Sequence, residues 1–85
     1  MFDWDDIRYF LAVAREGSTN AAARVLGVNQ STVQRRLREL ERRIGYPLVK
    51  RLPTGYLLTD FGRELLPLAA QMEGVAAAVE QQVRR

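Results

Sequence analysis

At 85 residues the chain is near the size at which a hydrophobic core alone becomes marginal, and it has the length of one small domain. Its hydrophobic share of 47% excludes a disordered tail, and the lack of cysteine and histidine excludes disulfides, the usual zinc sites and thiolate or imidazole chemistry. The net charge of +3 conceals an asymmetry: residues 34–51 carry seven basic side chains against Glu39 and Glu41, so that segment is +5 and the remainder is −2. Clustering of one sign marks either a polyanion-binding surface or a solvated helix face.

In chain order, "DWDDIRYFLAVAREG" reads as a first helix, with acidic residues at its start, Ile7, Phe10, Leu11 and Ala14 at helical spacing, and Gly17 as its stop. "STNAAARVLG" reads as a short second helix capped by Ser18 or Thr19, with Ala22, Ala23 and Leu26 inward and Gly27 at its end. The third runs from the N-cap Asn29 to Ile44, before Gly45, with Val33, Leu37, Leu40 and Ile44 as its buried stripe. Turning 100° per residue from that stripe places Ser31, Arg35, Arg38 and Arg42 on the outward side, with Arg36, Arg43 and Thr32 on one flank and Gln30 and Gln34 on the other.

"YPLVKRLPTGYLLT" breaks the helical period, and its Pro53, Thr54 and Gly55 form the tip of a two-stranded hairpin, a wing. From Thr59 as N-cap a long helix follows, with Phe61, Leu65, Leu68, Met72, Val75 and Val79 alternating spacings of four and three, as in a coiled-coil seam. Pro67 lies inside it and predicts a bend near residues 63–67. The fold class expected is therefore mainly α: a three-helix winged helix-turn-helix over 1–58, then a linker or dimerisation helix over 59–85.

In a helix-turn-helix the second helix of the unit enters the DNA major groove with its N-terminal turns. Gln30, Ser31, Thr32 and Gln34 have the donors and acceptors to read base edges there, and Arg35 has the fork that fits guanine O6 and N7. The alternative for Ser31 and Thr32 is ordinary capping of a surface helix. Arg36, Arg43, Lys50 and Arg51 are phosphate candidates, since phosphates require charge and reach but no pairing code. Arg38 and Arg42 lie further along, facing solvent. Glu41 borders the buried stripe and is expected to be a structural ion-pair partner for Arg51 or Arg43, with Arg51 at the base of the wing the pairing predicted.

The runs "GSTNAAARVLGVNQSTVQRRLRELERRIGYPLVKR" and "LLTDFG" resemble the N-terminal winged helix-turn-helix of bacterial LysR-type transcriptional regulators. The resemblance spans about residues 4 to 66, and the last helix is similar to the family's linker helix. It implies sequence-specific double-stranded DNA binding by a dimer on a roughly palindromic operator. Gln30, Ser31, Gln34 and Arg35 then become base contacts, Ser18 and Asn20 lie near phosphates, and Leu65, Leu68, Met72, Val75 and Val79 form the dimer interface. Thr19, Ser31, Gln34 and Val49 depart from residues common in relatives, and Thr54 stands where an arginine is frequent, which implies weaker insertion of the wing into the minor groove. Family members continue into an effector-binding domain after the linker helix, and these residues name no effector.

Other function classes fit less well. Adjacent Asp5 and Asp6 point to different helix faces and make no acid/base pair, and no glycine loop cradles phosphate, so no enzyme, cofactor or metal is expected. A protein-interaction module built on the long helix is the rival reading. No apolar run has the length of a bilayer span, the acidic start "MFDWDD" is unlike a signal peptide, and the polar face of residues 60–83 is not lysine-rich. A cytoplasmic protein without membrane partners is expected.

Overall fold

The computed structural model describes residues 2–84, so Met1 and Arg85, the outermost residues of the two expected ranges, lie outside it. Its elements are α1 (Trp4–Glu16), α2 (Thr19–Leu26), α3 (Gln30–Ile44), β1 (Val49–Leu52), β2 (Gly55–Leu58) and α4 (Asp60–Val83). Local chemistry fixes the helix starts. Asp3 and Asp6 exchange side-chain-to-backbone hydrogen bonds in a capping box on α1, Ser18 Oγ accepts from Ala21 N at 3.1 Å, and Thr59 Oγ1 accepts from Gly62 N at 3.0 Å. Asn29 occupies the N-cap position of α3 without a side-chain cap bond.

Packing places α1 at the centre. It meets α2, α3, β2 and α4, which is why Tyr9, Ala12 and Val13 are buried beside the expected Ile7, Phe10 and Leu11. The α3 stripe behaves as its spacing predicts: Val33, Leu37 and Leu40 are fully buried and Ile44 packs at the margin.

The wing is one antiparallel pair, Val49 opposite Leu58 and Leu52 opposite Gly55, with Pro53 and Thr54 at the turn. It is pinned to the helices by the Tyr56 N–H, which donates to Gly17 O at 3.0 Å. Gly17 ends α1 with φ +79°, a conformation that turns the chain straight into α2 and is costly for residues with a Cβ.

The first turns of α4 belong to the same packed unit as the wing and α1. Ala69 is fully buried, Leu65 and Leu66 pack against the core, and a Cβ on Gly62 would collide with the Leu48 carbonyl oxygen. Phe61 stacks on Tyr46 with centroids 4.7 Å apart. Packing thus crosses the 58/59 division. Phe61 and Leu65, the first members of the expected seam, are half-buried against the chain's own domain, and the exposed apolar row begins at Leu68. Helix α4 is continuous through Pro67. Its 24 residues span about 36 Å at 1.5 Å per residue, most of the molecule's 45 Å long axis.

Candidate nucleic-acid interface

The first turns of α3 present a polar face. Gln30, Ser31 and Arg35 are exposed, and Gln34, one turn beyond Gln30, is half-buried. Arg35, itself exposed, lies 3.5 Å from the half-buried Glu39, a long contact that leaves the guanidinium available at little cost. Further along the helix Arg38 and Arg42 are exposed, as is Lys50 on β1. Among the described residues none of these three has an ion-pair partner. Arg24 on α2 is also exposed and, among the described residues, has no ion-pair partner; it lies outside the basic run of residues 34–51, which is why charge clustering does not single it out.

Two of the expected phosphate ligands form ion pairs with the start of α1. Arg36 Nη2 donates to Asp5 Oδ2 at 2.7 Å and to Asp6 Oδ1 at 3.2 Å, with its guanidinium 4.6 Å from the centre of the Tyr9 ring. Arg43 Nη1 donates to Asp6 Oδ2 at 3.1 Å and approaches Glu39 at 3.8 Å. Asp6 is only 4% exposed, and these bonds, with the Asp3 N–H, supply the partners that a buried carboxylate requires. The network ties the start of α1 to the middle and last turn of α3, so Arg36, half-buried, and Arg43, still exposed, help to hold that helix against α1.

The same network perturbs titration. The Arg36 hydrogen bond, then Arg8, holds the Asp5 carboxyl below the usual carboxylate range against the opposing effect of desolvation, and Asp5 in turn raises Arg36. A depressed folded-state value means that the stabilisation is complete above the unfolded Asp range of about pH 4 and is lost as pH falls through the folded value. Asp5→Asn is therefore expected to flatten the acid limb of stability below about pH 4, by under 1 kcal/mol because the pair is half exposed. Urea midpoints of both proteins from neutral to acid pH check this; parallel acid limbs would assign the loss to other carboxylates.

The remaining candidates divide by exposure. Ser18 uses its hydroxyl as the α2 cap, Asn20 is exposed beside it, and Arg51 lies 3.6 Å from Glu41 and 5.5 Å from the Tyr56 ring. Glu41 meets Arg51 as expected. Its Oε2 also accepts from the Leu48 and Val49 N–H groups at 2.8 and 3.3 Å, bonds that spacing alone does not show. At the wing tip Pro53 and Thr54 are exposed and Gly55 is half-buried against Gly17 O. Leu68, Met72, Val75 and Val79 line an open groove of about 730 Å³ with Trp4, and Val83, absent from the expected interface, continues the exposed row.

The family model described as bacterial regulatory helix-turn-helix protein, lysR family, matches residues 4–63, from the start of α1 into α4. The chain belongs to the LysR family. Among curated LysR-type relatives, the transcriptional regulator BudR of Klebsiella aerogenes is 35% identical over 78 residues, covering 92% of this chain and 54% of BudR. GalR of Pseudomonas putida is 44% identical over 73 residues, covering 81% of this chain and 18% of GalR. The chain thus spans about half of one relative and less than a fifth of the other. The DNA-binding domain of CbnR, solved in complex with DNA, superposes with a TM-score of 0.88 at 31% identity, covering 98% of this chain and 95% of that one. The BenM domain bound to a catB site gives 0.87 at 27% identity, covering 98% and 94%. This LysR fold, mainly helical with a two-stranded wing, is therefore that of the family's DNA-binding domain. Among the described residues no helix is long and apolar enough to cross a membrane.

Proposed function

We propose that this chain is a sequence-selective double-stranded DNA-binding module of a bacterial transcriptional regulator, acting in the cytoplasm and without enzymatic activity of its own. Residues 1–58 carry recognition and 59–85 the dimerising helix. The observation that carries this reading is the polar opening of α3, Gln30, Ser31, Gln34 and Arg35, flanked by the unpaired cations Arg38, Arg42 and Lys50 on a fold superposable on a DNA-bound domain. The first turns of α3 enter the major groove, Lys50 and Arg51 meet phosphates on the wing side, Ser18 and Asn20 meet them at the start of α2, and the wing tip at Pro53 and Thr54 lies along the backbone or adjacent minor groove. A second copy of the chain joins through the outward row of α4.

Sites selected from a random DNA pool, followed by binding titrations at several salt concentrations, test this. A dimer placing two or three cations per subunit on phosphates gives a log–log salt slope of about −4 to −5, and a slope near zero overturns the proposal. On the selected site Arg35→Ala is expected to relax preference at one position per half-site, whereas Lys50→Ala weakens all sequences alike. A uniform loss in both variants would remove Arg35 from base readout.

A further inference from the structure

Thr19 and Gln30 stand at the first positions of α2 and α3 and meet across the turn of the helix-turn-helix: Gln30 Nε2 donates to Thr19 Oγ1 at 3.0 Å. The two ends differ in surroundings. Thr19 is 2% exposed, whereas Gln30 is exposed at the start of the helix proposed to enter the groove. A buried hydroxyl requires a hydrogen-bond partner, and among the described residues Gln30 is the partner that this one has. An otherwise mobile surface glutamine is thereby tied at one atom to a fixed point in the protein interior.

We infer that Thr19 is a positioning residue for base readout, holding the Gln30 amide so that it reads adenine. A primary amide carries two N–H donors and one carbonyl acceptor. With one Nε2 hydrogen given to Thr19, Gln30 keeps its Oε1 acceptor and its second hydrogen, an acceptor beside a donor. In the major groove adenine offers the complement, an N6 donor beside the N7 acceptor, while guanine shows two acceptors there, cytosine a donor and thymine an acceptor. An untethered glutamine rotates freely among presentations, so the tether converts a promiscuous polar side chain into one that discriminates. Ordering Gln30 before DNA arrives also lowers the entropy lost on binding.

This inference rests on the proposed DNA binding, and its test separates the two. The wild-type chain, Thr19→Val, Thr19→Ser and Gln30→Ala are each selected against a random double-stranded DNA pool, with melting curves recorded for every protein. Wild type is expected to enrich adenine at one position per half-site, by about tenfold over the other bases for a good paired contact. Thr19→Val, equal in size but without the hydroxyl, is expected to cut that preference below about threefold while preferences elsewhere persist, and Thr19→Ser to restore it. Gln30→Ala abolishes it, and adding Thr19→Val to Gln30→Ala changes nothing more at that position. Should Thr19→Val not fold, Thr19→Ala removes the same hydroxyl and answers the same question. A wild-type chain that enriches no sequence overturns the DNA-binding proposal and this inference with it. Selection by wild type that is unchanged in Thr19→Val, that Thr19→Ser does not restore, or that favours guanine or thymine at the Gln30 position overturns this inference alone.

Discussion

Glu41→Ala is expected to lower the stability of the domain by about 2–4 kcal/mol, a large part of the roughly 5–10 kcal/mol available to a chain of this size. The loss arises at the base of the wing. Glu41 Oε2 accepts from the N–H groups of Leu48 and Val49, both residues are buried, and Oε1 faces Arg51 at 3.6 Å. Alanine leaves two backbone donors without their acceptor where β1 begins and releases the cation that lies over Tyr56. Glu41→Gln keeps a carbonyl oxygen for Leu48 N but gives up the charge, so its cost is expected to be about 1 kcal/mol. Urea denaturation of the three proteins measures both losses. An alanine variant as stable as wild type, or a glutamine variant that melts like wild type yet prefers a different operator, would move Glu41 from wing support to DNA recognition.

How far the sequence could be read follows from the range of each interaction. Ser18 and Thr59 lie beside the helices they cap, and the α3 stripe repeats every three or four residues, so periodicity and short spacing expose them directly. The destination of Arg36 and Arg43 depends instead on α1 crossing α3, which brings Asp5 and Asp6 to them from 30 to 37 positions away. A charge count sees seven cations; the fold pairs Arg36 and Arg43 with carboxylates of α1. The α4 seam shows the same limit. Its heptad spacing is regular from Phe61 onward, but only the packed structure shows that Phe61 is taken by Tyr46 and Leu65 by the core. The tether from Thr19 to Gln30 joins two residues that composition and periodicity treat independently.

Val75→Glu combined with Val79→Glu is expected to convert a dimer to monomers and to weaken binding to a full operator on the order of 100-fold, with the winged domain still folded. The argument begins with area that the chain cannot cover alone. Leu68, Val75 and Val79 are 55%, 66% and 57% exposed, and with Met72 they keep spacings of four, three and four along a helix whose buried residues end at Ala69. Apolar side chains in one continuous row, rimmed by Gln71 and Glu80 and bordered by Trp4, form a helix face suited to a partner helix. In a two-fold arrangement each copy offers the same row to the other, and the two recognition helices meet half-sites about 34–36 Å apart, or a multiple of that spacing. Four carboxylates brought to one apolar contact would lose hydration and repel one another, which the isolated subunit avoids because both positions face solvent there. Binding to a single half-site then changes little, since α3 and the wing are untouched; the large loss appears only where two half-sites are joined. Sedimentation together with titrations on half and full sites measures both effects. A wild-type chain that is monomeric at high micromolar concentration and a double variant with full operator affinity would show that α4 does not pair.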